Sequence, residues 1–245
     1  MTRIQTVCLL SAVAFFAHAA PVAAQDIAFS LGDDGSISAR TIQLFLLLTV
    51  LSIAPGIAIM VTCFPFLVTV FSILRQGIGL QQSPPNMLIV SLALFLTYFV
   101  MEPVFLAAWS NGIQPLTENQ LDVETAFLRS IEPFKSFMVS RTDADTYSAL
   151  SDLRYGAERT SLDEQTPLSL LVPSFMLSEI TRAFQIGFLI YLPFLIIDLV
   201  VAAILMSMGM MMVPPSVVSL PFKLAFFVVA DGWSLIAGSL VRSYM

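Results

Sequence analysis

The sequence predicts an all-α integral membrane protein built from helical hairpins with broken helices. Three observations carry that expectation. The 245 residues are 57% hydrophobic and only 11% charged, with a mean hydropathy of +0.87, a balance typical of chains that live in a bilayer. The apolar residues are gathered into four long runs punctuated by prolines. Single charges, Asp198, Lys223 and Asp231, stand inside the last two of those runs. A charge near a bilayer centre costs roughly 2.5 to 3.5 kcal/mol, while each Leu, Ile, Phe or Val returns about 0.3 to 0.6, so one charge per run is tolerable only where protein surrounds it.

Residues 1–24 read as a cleavable signal peptide: Arg3, an apolar stretch from Ile4 to Phe16, and the small residues Val22 and Ala24 before Gln25. The apolar stretch is shorter than the ~20 residues a membrane span needs. Cleavage after Ala24 removes His18, the only histidine, and Cys8, leaving Cys63 as the single cysteine. A mature chain of that composition lacks a Ser/His/Asp or Cys/His nucleophile system and a His/Cys zinc set, so no catalytic activity, metal or other cofactor is expected. The net charge of -6 comes mainly from one polar segment and offers no basic patch for nucleic acid.

Residues 25–40 are a polar leader, expected as a flexible arm. Residues 41–109 are expected to form the first hydrophobic hairpin. Its opening run contains Pro55-Gly56 and Pro65, which predict a broken helix, and its turn contains Gly77, Gly79 and Pro84-Pro85. The second run is interrupted late by Glu102-Pro103. Residues 110–173 hold most of the charges and are expected to face water on the periplasmic side. Thr117 and Gln120 have the spacing of a capping box, and Leu121, Phe127, Leu128 and Ile131 predict a short amphipathic helix ending at Pro133, serving as a subunit contact or a lid.

Residues 174–245 are the second hydrophobic hairpin, turning at Met208, Met210, Met211, Met212 and Pro214-Pro215. In both halves an acid, Glu102 or Asp231, follows the double proline by about four and a half turns at 3.6 residues each, a weak hint of internal repetition. Five methionines between Met206 and Met212 exceed what gap-filling requires. Unbranched thioether side chains repack around irregular objects, so a ring of such turns would hold back water and ions while admitting an unfolded polypeptide.

Glu102, Asp198 and Asp231 are expected to be buried acids. Asp198 and Asp231 lack the Tyr-Asp and Gly-x-Gly-Asp settings of an intramembrane aspartyl protease. A relay in a small ion-coupled transporter is the fairer rival, although the spans are few for a complete pathway. Lys223 requires a carboxylate partner, within the chain or across an interface between copies, and Glu179 is the first choice. Glu179 and Arg182, three apart on one face, could instead pair with each other.

The string PFLIIDLVVAAILMSMGMMMVPPSVVSLPFKLAFFVVADGW, with VPSFMLSEITRAFQIGFLIYL before it and RQGIGLQQSPPNMLIVSLALFLTYFVMEPV in the first hairpin, resembles the FliP family of flagellar export-gate proteins and their virulence type III secretion counterparts. The resemblance runs from about Thr41 to the C-terminus. It implies a multi-copy gate in the bacterial inner membrane, at the flagellar basal body, built with FliQ and FliR and working with FlhA, FlhB and FliO. Unfolded flagellar proteins would be its substrates. It implies a methionine gasket at Met210, Met211 and Met212 with Met208 adjoining, and a charge pair between copies at Glu179 and Lys223. It also implies hairpins packed in a cone lying largely above the bilayer plane, so that hydropathy alone overstates lipid contact.

Overall fold

A computed structural model describes residues 36–80, 83–155, 161–210 and 212–244. The expected signal peptide, most of the leader and Met211 lie outside the described residues. Every regular element among the described residues is helical: α1 (Ser36–Met60), α2 (Phe64–Ile78), α3 (Asn86–Ala108), a π-helical turn (Trp109–Ile113), α4 (Gln114–Thr117), α5 (Val123–Arg141), α6 (Ala144–Tyr155), α7 (Leu168–Ser207), α8 (Pro215–Val229) and α9 (Gly232–Arg242). The all-α expectation is met. Among the described residues, those from 52 onward form one compact unit, its boundary falling within α1.

The break expected in the first run exists, but its position follows Thr62 and not Pro55-Gly56. Pro55 stays inside α1. The helix ends at Met60, where the Thr62 hydroxyl donates to the Ile59 carbonyl (2.8 Å) and accepts the Phe64 N–H (3.4 Å). Pro65 then sits in the first turn of α2, where its missing N–H has no helical partner to lose.

α2 is the centre of the larger unit. Phe66, Leu67, Val70, Phe71, Leu74 and Ile78, at helical spacing, are buried. The helix packs against α3 and, more extensively, α7, while α7 packs against α8. Two glycines permit the close seam with α7: a Cβ on Gly187 would lie 2.4 Å from Ile73 Cδ1, and one on Gly77 would lie 3.1 Å from ring atoms of Tyr191 and Phe194. α2 ends at Gly79, in the left-handed region (φ +88°), whose N–H donates to the Gln76 carbonyl. The chain reverses through a cis Ser83–Pro84 bond, and Pro85 caps α3.

The polar segment departs from expectation in three places. Thr117 ends α4, its hydroxyl donating to the Gln114 carbonyl, and is not an N-cap. The N-cap of α5 is Asp122, which accepts the Thr125 N–H (3.2 Å). Pro133 does not stop the helix, which continues to Arg141. A proline deletes one internal hydrogen bond, and here the packing of α5 against α3 and the π-helical turn outweighs that loss. Gly112 makes this approach possible, since a Cβ there would fall 2.0 Å from Ser130 Oγ and 2.5 Å from the Ala126 carbonyl oxygen.

Among the described residues, three helices are long and apolar enough to cross a membrane: Thr41–Met60, Asn86–Thr117 and Leu168–Ser207. The pair α8 and α9, bent by 60° at Ala230–Asp231, passes the same test as one broken span. The two halves do not repeat: α3 runs uninterrupted through Glu102-Pro103, whereas the corresponding Asp231 takes a left-handed conformation (φ +46°) and breaks the helix.

Candidate functional site

Two charge clusters and one apolar turn are the features from which function can be argued. In the first cluster, Lys223 of α8 points into the α2–α7 seam. Its ammonium donates to Asp198 Oδ2 (2.5 Å) and to the Gly77 carbonyl (3.1 Å), one of the acceptors that the end of α2 leaves without a helical donor. The Ser219 hydroxyl donates to the other carboxylate oxygen of Asp198 (2.5 Å). The Lys223 side chain is 6% exposed and that of Asp198 29%. One lysine thus ties α2, α7 and α8 together.

The second cluster surrounds Glu179, whose side chain is fully buried. Arg141 Nε donates to it at 3.4 Å, and the Tyr244 hydroxyl donates to its other oxygen. Arg141 also donates to the Ser243 carbonyl (3.0 Å) and lies 4.1 Å from the centre of the Tyr244 ring, which in turn packs edge-on to Phe66. The last turn of α5 and the C-terminal residues are thereby fastened to α7.

Within one chain, therefore, Glu179 and Lys223 are not brought together. Glu179 and Asp198 share α7, and nineteen residues at 1.5 Å each put them about 28 Å apart, so Lys223 reaches one only. Glu179 and Arg182 do not form an ion pair either, because Glu179 faces inward to Arg141 while Arg182 is exposed. Of the three acids expected to be buried, Asp198 is partly covered, and Glu102 and Asp231 are exposed on the single chain. Asp231 and Asp198 occupy different places, the former beside a cavity of about 530 Å³ bordered by Ile78, Pro84, Phe227 and Trp233. Sequence reasoning missed Arg141 and Tyr244: ending α5 at Pro133 hid the former, and no local pattern marks the latter.

Cys63 is buried at the α1–α2 joint, where burial above all pushes its thiol up to about 12. It stays protonated at neutral pH and is a poor nucleophile. Among the described residues no group of three or more His, Cys, Asp or Glu is placed to hold a metal.

The methionine turn is built on a glycine. α7 ends at Ser207; Gly209 adopts φ +73°, its N–H donating to the Met206 carbonyl (3.1 Å), and the Met210 N–H donates to the Leu205 carbonyl (3.0 Å). This pair of bonds is a Schellman termination. Met208, Met210 and Met212 are 66%, 39% and 98% exposed. Pro214 caps α8 and Pro215 occupies its first turn, as Pro85 caps α3, so each double proline opens the helix that returns from a turn.

Long apolar helices in hairpins, internal charges neutralised by protein, and an exposed apolar turn define a multi-helix membrane protein. The chain matches the FliP family over residues 47–240 and belongs to it. It is 54% identical to the flagellar biosynthetic protein FliP of Rhizobium meliloti over 213 residues, covering 86% of this chain and 87% of that protein. It is 48% identical to the protein of the same name from Caulobacter vibrioides over 246 residues (100% and 92% covered), and 42% identical to that of Aquifex aeolicus over 245 residues (100% of both).

Proposed function

We propose that this chain is a core subunit of the flagellar type III protein export gate, present in several copies with FliQ and FliR in the inner membrane of the basal body. FlhA, FlhB and FliO are its further partners, and unfolded flagellar proteins pass through it. The observation that supports this reading best is the methionine turn. Flexible apolar side chains at the tip of a hairpin are exposed on the single chain, where nothing in their own fold requires methionine. Copies arranged around an axis bring these tips together as a gasket of Met208, Met210, Met211 and Met212.

No catalytic step falls to this chain in that reading; export energy comes from other components. The small-transporter alternative needs Asp198 free to exchange protons, whereas Lys223 and Ser219 hold it from both sides. The flagellar assignment is favoured over a virulence system because the relatives carry flagellar names.

The test is release of hook protein and flagellin by a strain lacking the gene, with and without the wild-type gene restored. Release should vanish and return. A strain carrying Met210→Ala, Met211→Ala and Met212→Ala together should leak ions or small solutes; unchanged leakage removes the gasket, and unaffected release removes the flagellar gate.

A further inference from the structure

Glu102 is the only charged residue between Asn86 and Trp109, and it is exposed on α3 among the exposed side chains of Tyr98, Phe99 and Leu106. α7 carries three charges. Glu179 goes to Arg141 and Asp198 to Lys223, which leaves Arg182, exposed on the helix face it shares with Gln185, Ile186 and Leu189. Neither Glu102 nor Arg182 makes a hydrogen bond or ion pair among the described residues. Thus α3 presents an exposed acid and α7 an exposed base, each without a hydrogen-bonded or ion-paired partner among the described residues. Against lipid, each carries the insertion penalty of roughly 2.5 to 3.5 kcal/mol for a charge at a helix centre. Against protein bearing the opposite sign, the penalty is offset.

We infer that Glu102 of one copy pairs with Arg182 of the next, forming a repeated contact between the α3 face and the α7 face. Three features of the fold agree. First, α3 and α7 both pack on α2 without a comparable seam between themselves, so their outer faces lie on different flanks. A head-to-tail contact requires such separate, complementary patches.

Second, the two charges lean towards one another in height. Arg75 meets Asn86, eleven residues before Thr97 on α3, and Phe66 packs on Tyr244, which bonds Glu179 of α7, so Thr97 and Glu179 both lie near the level at which α2 begins. Gly187 meets Ile73 and Gly77 meets Phe194, so α7 runs parallel to α2; Arg75 meets Asn86, so α3 runs antiparallel to it. Glu102 is five residues beyond Thr97 in one direction and Arg182 three beyond Glu179 in the other, about 12 Å apart along the axis at 1.5 Å per residue. Helical side chains tilt towards the N-terminus of their own helix, which directs both into this gap. A long arginine and a glutamate are suited to span it.

Third, Asp231 is a poorer partner. It sits at the α8–α9 corner beside Ile78 and Ser83, on the side from which the Arg182 side chain tilts away.

The inference rests on the multi-copy reading above, and its test separates the two. The full chain would be expressed in its native membrane with its partner proteins, solubilised gently and sized by native electrophoresis. Glu102→Arg and Arg182→Glu should each lose the high-mass assembly, and the double variant should regain it. In an otherwise unchanged chain, Glu102→Cys on one tagged copy and Arg182→Cys on a differently tagged copy should be joined by a short bis-maleimide before solubilisation. Assembly that survives both single variants overturns the contact, with the two charges then lying at lipid headgroups. Loss that the double variant does not restore, together with no mixed-tag product, overturns it as well. A wild-type chain that runs only as a monomer overturns the multi-copy reading itself.

Discussion

Lys223 is the residue on which most of the membrane part depends, because one ammonium satisfies a carboxylate of α7 and a carbonyl of α2 from its place on α8. Replacing it with alanine leaves Asp198 with only Ser219. The expected loss is roughly 3 kcal/mol, the lower end for a broken buried pair since Asp198 keeps partial access to solvent. Thermal unfolding of the purified chain in detergent measures it. Two charge exchanges then separate pairings within and between copies. Asp198→Lys with Lys223→Asp should recover stability of the single chain. Glu179→Lys with Lys223→Glu should not; if it restores assembly without restoring that stability, the Glu179 and Lys223 pair joins copies. The sequence made legible that Lys223 needs an acid, because its cost in an apolar run is a local property. Which acid was not legible, since Glu179 and Asp198 both lie on α7 and only the height at which α8 crosses it decides.

The elements are held apart or together by where a Cβ is missing. Gly187→Ala drives a methyl group into Ile73, and overpacking of this kind costs about 1 to 3 kcal/mol. Ile73→Val removes the nearest atom and should return most of that stability in the same unfolding assay; no recovery would mean that backbone, not this side chain, sets the α2–α7 distance. In the polar segment the helix starts are held by Asp122 and Asp143, whose carboxyl groups are lowered below the ordinary range by hydrogen bonds from Thr125 and Thr146. A depressed folded-state value means that their stabilisation is present above the ordinary carboxylate range and is lost as pH falls through the folded value. Protection of the Thr146 amide, its exchange rate relative to the intrinsic rate at the same pH, should therefore fall on acidification below that range, and Asp143→Asn, which caps without a titrating proton, should flatten the dependence. Helices and turns were legible here from apolar spacing and double prolines. Their ends were not, because Pro133 and Pro55 are tolerated where packing compensates for one hydrogen bond, and the π-helical turn depends on a long-range fit of Gly112 against Ser130.

At the scale of the whole molecule, α7 sets the limits. Its 40 residues make a rod of about 60 Å, twice the roughly 30 Å hydrocarbon thickness of a bilayer. Hydropathy marks the whole of it as apolar and so does not mark which part of it a bilayer would cover. The packing distinguishes the two halves: the Glu179 cluster fastens the first to the polar segment, and the Lys223 cluster fastens the second to α8. Both ends of α7 should accordingly be reachable by a water-soluble maleimide in intact membranes when Ser169 or Ser207 is changed to cysteine, while Ala183→Cys, buried against α2, should stay unlabelled until the protein is denatured. Labelling at Ser169 with none at Ser207 would place the methionine turn within lipid instead of an aqueous passage. That result would count against a gasket more directly than any loss of export, because a seal must have water on at least one side.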